Sequence, residues 1–403
     1  MADLAKLVLV FVLVLFLVSR RLPLWIGMLL GSVLLGFSCF LPPLRLLAVM
    51  GGAAIEKTTL TLVVVLYLIA VLEDVLRTSG MLMRLVGSLG RIFRDPRAVA
   101  SFLPALMGFL PSAGGAMFSA PMVAEATNGM GLSGERKAFL NYWFRHVWEC
   151  VFPLYPGLIL AAALLGVPVG KLSLSMWPLP FVAILAGLPF AYRGAKVSGK
   201  AGEPGQLRPA LRDASLTMLP IAAIIVAVLG FKLNLMLVLG AVVFLLLLAL
   251  RWPPGNLLPL IRRSFKPATL AIVVGVMVFK GVLEATGIVK ELPGVFQAYG
   301  IPTLFIAFLM PFLVGLMTGI TQAYVGLTFP ILIGLAQGQT APGGWAAFAF
   351  VSGFAGVLLS PVHLCMILTN AYFKANTSRV YRLLLPPALV LVAVGLLLAL
   401  WKR

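Results

Sequence analysis

The sequence predicts an all-α polytopic membrane protein. It should have about ten transmembrane helices plus two re-entrant hairpins, in a five-plus-five inverted repeat. Three observations predict this. Of 403 residues, 61% are hydrophobic and only 11% are charged, where a soluble domain carries about a quarter. Apolar stretches of membrane-spanning length, about 17–25 residues, recur along the chain. Motifs of the first half return in order in the second, at an offset of roughly 210 residues, as they do in inverted-repeat proteins. A β-barrel is excluded, because barrel strands alternate and run to only about ten residues.

The elements follow in chain order. The stretch "MADLAKLVLVFVLVLFLVSRR" has the length of a signal peptide but lacks a small-residue cleavage site, and Arg20 and Arg21 follow its apolar core. It is expected to remain as a first helix. Crossings are expected near 4–18, 22–41, 58–76, 138–165 and 174–192, then near 214–230, 234–250, 268–284, 344–370 and 383–400. Segments 98–126 and 301–335 are read as re-entrant hairpins, and 138–165 and 344–370 as interrupted helices. Residues 1–192 form the first repeat and 214–403 the second. The polar stretch 193–213, "RGAKVSGKAGEPGQLRPALRD", is the expected cytoplasmic linker. Segment 77–97 sets Arg84 and Arg91 among Leu, Met, Val and Ile, and reads as an amphipathic helix on the inner surface.

The charge pattern orients this scheme. The net charge is +19, but the basic residues lie in short clusters between apolar segments, which argues against nucleic-acid binding. With the N-terminus outside and both hairpins re-entrant, 21 of the 31 Lys and Arg fall inside and eight outside, as the positive-inside rule requires. If 98–126 crossed fully, the basic linker would lie outside. The expected location is therefore the inner membrane, multi-pass, with both termini extracytoplasmic.

The repeat is carried by paired motifs. "VLEDVLRTSG", "GFLPSAGGAMFSAPMV" and "FRHVWECVFPLYPGLILA" are answered by "VLEATG", "GLMTGITQAYVGLTFPIL" and "GFAGVLLSPVHLCMILTN". Glu73 pairs with Glu284, Gly108 with Gly315, Pro121 with Pro330, and Pro153 or Pro156 with Pro361. Such repeats mark many secondary transporters.

Broken helix is tolerated in a membrane only within protein or around a cavity. The first tip, "PSAGGA", offers Pro111 to end one arm, Ser112 to cap the next, and Gly114 and Gly115 to turn, with Ser119 just beyond. Free N–H groups at such a helix start favour an anion, and carbonyls and hydroxyls opposite can hold Na⁺ transiently. The second tip, "MTGITQA", offers Thr318, Gly319, Thr321 and Gln322. Close packing of a kinked helix is the bland alternative for each tip.

Two further interruptions follow, "FPLYPG" and "LLSPVHL", the latter with Ser360, Pro361 and His363 and with Asn370 two turns on. The run "NYWFRHVWE" holds Asn141, Arg145, His146 and Glu149. Intramembrane ionisable groups are functional candidates: Arg145 to attract an anion, His146 or Glu149 to carry a proton. Trp143 and Trp148 fit equally an interfacial belt. Glu73 and Glu284 read as ordinary interfacial charges. Cys39, Cys150 and Cys365 share no ligand spacing and read as buried free thiols, so no resident metal or cofactor is expected. No Walker loop, zincin helix or GxSxG is present, so an enzyme is not expected.

"LPSAGGAMFSAPMV", "NYWFRHVWE", "PLYPG", "TFPIL" and "SPVHLCMILTNAYFK" closely resemble the prokaryotic membrane family "domain of unknown function 401", over nearly the whole chain. That family is grouped with the ion transporter superfamily, with its gluconate, citrate and dicarboxylate carriers and some sodium/proton antiporters. The resemblance implies inverted repeats, elevator-type motion and often homodimers. In dicarboxylate carriers Ser-Asn-Thr tips hold substrate and Na⁺; here the tips read Ser112-Ala113-Gly114 and Thr318-Gly319-Ile320-Thr321, without the Asn. The expected function is secondary transport of a small organic anion, driven by H⁺ or Na⁺. A cation/proton antiporter of the same fold, or a membrane enzyme or scaffold, are the alternatives.

Overall fold

The computed structural model describes residues 2–93, 95–109, 115–196, 207–336 and 344–401. Every regular element among them is helical. The first half contains α1 (Ala2–Ser19), α2 (Leu24–Ser38), α3 (Pro43–Ile55), α4 (Lys57–Thr78), α5 (Met81–Ile92), α6 (Pro96–Met107), α7 (Ala116–Ala126), α8 (Gly134–Arg145), α9 (Pro156–Leu164), α10 (Val169–Ser175) and α11 (Leu179–Tyr192). The second contains α12 (Leu207–Ile225), α13 (Leu235–Ala249), α14 (Leu257–Ser264), α15 (Pro267–Thr286), α16 (Leu292–Ala298), α17 (Thr303–Thr318), α18 (Thr321–Leu335), α19 (Gly344–Leu358), α20 (Leu364–Phe373) and α21 (Thr377–Trp401).

Among the described residues, four helices are long and apolar enough to cross a membrane: α4, α12 with its following π turn to Gly230, α15 and α21. At about 1.5 Å per residue, each exceeds or approaches the hydrocarbon thickness of a bilayer. A fifth candidate is α9 with α10, bent by 107° between them. Shorter apolar helices surround these. These long apolar helices are compatible with a membrane protein. Helix starts follow local chemistry: Pro43, Pro156 and Pro267 each open a helix, where the missing N–H is no loss. Ser133 caps α8 and Asn234 caps α13 through side-chain oxygens.

Two helix pairs flank the centre. Helices α6 and α7 pack on each other, as do α17 and α18. The first tip, with Ser112 and Gly114, lies outside the described residues. The second is a two-residue turn in which Gly319 adopts φ +64°, a left-handed conformation that glycine takes without steric cost. Helix α8 stops at Arg145 and α9 starts at Pro156; α19 stops at Leu358 and α20 starts at Leu364.

Two sequence expectations change. The amphipathic segment does form a helix, α5, but its apolar stripe is covered by protein. Leu85 packs with Leu103 and Leu106 of α6, and α12 lies alongside. Arg91 sits 3.6 Å from Asp213 of α12. Glu73 is not an ordinary interfacial charge: it is buried and ion-paired at 2.8 Å with Lys266 of the other half. Its neighbour Asp74 is fully buried, takes a hydrogen bond from Ser264 at 2.9 Å, and pairs with Arg77 and Arg263. This cluster ties α4 to α14 and α15. Glu284 does remain exposed, beside Lys280 on its own helix.

Helix α17 crosses α19 closely, with Gly315 against the Gly353 carbonyl and Gly356 against that of Phe312. Small residues at such crossings let backbones approach. Gly315→Leu is expected to lower stability by about 1–3 kcal/mol through overpacking, read by thermal unfolding in micelles. Gly52→Ala, where nothing lies within 4 Å, should leave the midpoint unchanged.

Candidate functional site

The two helix breaks and the second hairpin tip meet at one cavity of about 770 Å³. Its wall includes Arg145, His146 and Glu149 from the first break, His363 from the second, and Thr318, Gly319, Thr321 and Gln322 from the tip. These eight were all singled out by sequence, and the fold brings them together from both halves of the chain, with His146 and His363 217 residues apart. Glu73, Arg77 and Lys266 line the same cavity, with Arg77 and Lys266 partly exposed.

Each polar side chain is placed by a helix end. The Arg145 guanidinium donates to the Met107 carbonyl at 2.9 Å, the last residue of α6, and is itself buried. Gly115 lets it in: a methyl there would collide with the guanidinium. His146 Nδ1 lies 2.7 Å from the Tyr142 carbonyl, which the end of α8 leaves without its helical donor. His363 Nδ1 lies 2.7 Å from the carbonyl of Gly319 at the tip. The two rings face each other, with Nε2 atoms 3.2 Å apart. Tyr142 packs on both rings and donates its hydroxyl to the Leu358 carbonyl at 3.1 Å. Glu149, also buried, accepts a hydrogen bond from the Thr321 hydroxyl. Gly157, the second residue of α9, makes room for the Thr321 methyl.

Among the described residues, the other sequence-predicted positions Gly115, Ser119, Ser360, Pro361 and Asn370 do not line the cavity. Ser119 is buried with its hydroxyl on the Ala116 carbonyl at 3.3 Å. Ser360 is buried and its hydroxyl oxygen accepts from the Val362 N–H at 3.3 Å, while Pro361 is exposed beside it. Asn370 donates to the Thr377 hydroxyl at 3.3 Å, joining α20 to α21. Thr318 bonds back to the Val314 carbonyl at 2.7 Å.

Sequence reading gave no role to Tyr142, Thr369 or Cys365. Asn141 donates both to the Ala116 carbonyl and to Thr369, each at 3.0 Å, so it clasps α7 and α20 to α8. Its Oδ1 is buried without a partner. Cys365 lies in the cavity wall beside both histidines. The only sequence signal for it was its place two residues after His363.

The fold and site define a class: an all-helical protein of apolar helices whose broken segments enclose a buried, charged cavity. The chain belongs to the family described as "Protein of unknown function (DUF401)", which matches residues 3–401. No curated protein matches it.

Asn141→Ala is expected to lower stability by about 1–3 kcal/mol, since Ala116 and Thr369 lose a buried donor. Thermal unfolding in micelles measures it. Asn141→Asp, which keeps the shape but removes the donors, should cost as much or more.

Proposed function

We propose that this protein is a secondary active transporter of a small, carboxylate-like organic anion, driven by H⁺ or Na⁺ through elevator-type alternating access. The observation that carries the reading is the single cavity shared by a hairpin tip and two helix breaks, with buried Arg145 in its wall. Such discontinuous elements supply the binding groups of transporter sites near the membrane midplane. Arg145 is suited to hold a carboxylate, because its planar fork matches the carboxylate's two oxygens. Glu149, held by Thr321 of the hairpin, is the group suited to the coupling ion, since a buried carboxylate is stabilised by a bound cation.

The reading includes ten crossings and two re-entrant hairpins in a five-plus-five inverted repeat, in the inner membrane with both termini extracytoplasmic. Its support is the order of elements, which runs alike from α4 to α9 and from α15 to α20. Equivalent glycines also make equivalent contacts: Gly108 meets the Arg145 carbonyl of α8, and Gly315 the Gly353 carbonyl of α19. In this orientation Arg77 and Lys266 lie on the cytoplasmic side, so the cavity opens inward. Kinship with the ion transporter superfamily and a homodimeric assembly belong to the same proposal. The buried Glu149 favours one second reading, a cation/proton antiporter of the same fold.

Proteoliposomes offered labelled carboxylates under separate H⁺ and Na⁺ gradients decide between them. Gradient-driven uptake of a carboxylate is expected. Arg145→Gln should lower it by about tenfold or more, the equivalent of one charge-assisted contact. It should also lower the unfolding midpoint, because the Met107 carbonyl loses its donor, so uptake is compared at a temperature where the variant is still folded. Na⁺-driven proton movement with no anion flux would reject the anion reading in favour of the antiporter.

A further inference from the structure

We propose that His146, His363 and Cys365 form a binding site for a soft divalent transition-metal ion of the zinc type, in the cavity wall where the two helix breaks meet. The proposal is independent of the transport reading. It begins with the ring tautomers. Each Nδ1 lies 2.7 Å from a backbone carbonyl, Tyr142 for His146 and Gly319 for His363. A carbonyl only accepts, so each Nδ1 carries a proton, and each ring in its neutral form presents a lone pair at Nε2. The two Nε2 atoms are 3.2 Å apart. Two lone pairs so placed repel unless a cation lies between them.

The third ligand is Cys365 Sγ. One ring nitrogen of each histidine and this sulfur all lie within 4.8 Å of one another. With zinc–nitrogen bonds of about 2.0–2.1 Å, a tetrahedral site sets its two imidazole nitrogens about 3.3 Å apart, and the rings already stand at 3.2 Å. Metal-binding histidines donate their other N–H to a carbonyl or carboxylate, which fixes ring orientation; both rings here do so. Tyr142 packs on the two rings at centroid distances of 4.8 and 5.6 Å and holds their faces.

Two imidazoles and a thiolate suit zinc, and do not suit Na⁺, Mg²⁺ or Ca²⁺, which prefer oxygen. Three protein ligands leave a fourth position, and all three residues line the cavity. Water or a carboxylate oxygen can complete the tetrahedron from there. On binding, the Cys365 thiol gives its proton to solvent and the sulfur bonds the metal. Because His146 sits in the first break, while His363 sits in the second and Cys365 in the first turn of α20 after it, a bound ion would pin the two breaks together. Ligands 217 residues apart give no motif spacing, which is why sequence reading expected no metal.

The test is a Co²⁺ titration of the chelator-treated, full-length protein in micelles. Expected are one equivalent bound per chain, thiolate-to-cobalt charge transfer in the near ultraviolet, tetrahedral ligand-field bands in the visible, and loss of both on adding Zn²⁺. Cys365→Ser should abolish the charge-transfer band, and His146→Gln or His363→Gln should weaken binding on the order of a hundredfold. Cys39→Ser and Cys150→Ser should leave the spectrum unchanged. Absence of the band in the unsubstituted protein, as when the two rings share a proton instead, overturns the proposal whatever the variants do. So does a band that survives Cys365→Ser.

Discussion

Every helix that stops inside this molecule leaves carbonyls without N–H partners, and in an apolar interior each must find a donor. That constraint organises the centre. Four such carbonyls, of Met107, Tyr142, Gly319 and Leu358, are each met by a side chain: Arg145, His146, His363 and Tyr142. The groups that line the cavity are therefore the groups that make the breaks tolerable. Breaking one of these contacts would both strand a carbonyl and disturb the site, so structural and functional roles coincide at these residues.

The same constraint bears on motion. A helix break with its carbonyls satisfied by side chains can exchange partners, whereas an unbroken helix cannot move a segment without losing several backbone bonds. In the proposed transport cycle, the contacts from Arg145 to α6 and from His363 to the second tip are the ones that would be exchanged. The apolar helices around them, knitted by the α17–α19 glycine crossing and the Glu73–Lys266 and Asp74–Ser264 bridges, supply the stiffer frame.

Much of this was legible in the sequence. Long apolar runs located α4 and α15 to within two residues and α21 to within six, because such runs have few alternatives to helix. Pro156, with Gly157 after it, and Pro361 marked where helix gives way, since proline removes a backbone donor. What sequence could not give was partnership. Short polar side chains bond to nearby backbone as readily as to a ligand, and Ser119 and Ser360 do so, while Asn370 reaches the Thr377 hydroxyl. Glu73 lay at a helix end, and only the packing of α14 and α15 buries it. Cys365 looked like one apolar-segment thiol among three until the fold set it beside His146, from the other half of the chain.

The central functional claim is that one cavity, with the second hairpin tip in its wall, opens alternately to the two sides of a membrane. Its most direct test is accessibility of a single cysteine at the tip. Gln322→Cys, in a chain lacking Cys39, Cys150 and Cys365, would be exposed to a membrane-impermeant thiol reagent from either side of oriented vesicles. The account predicts labelling from both sides, at rates shifted in opposite directions by the transported anion. Labelling from one side only, under every gradient and with every anion tried, would contradict it.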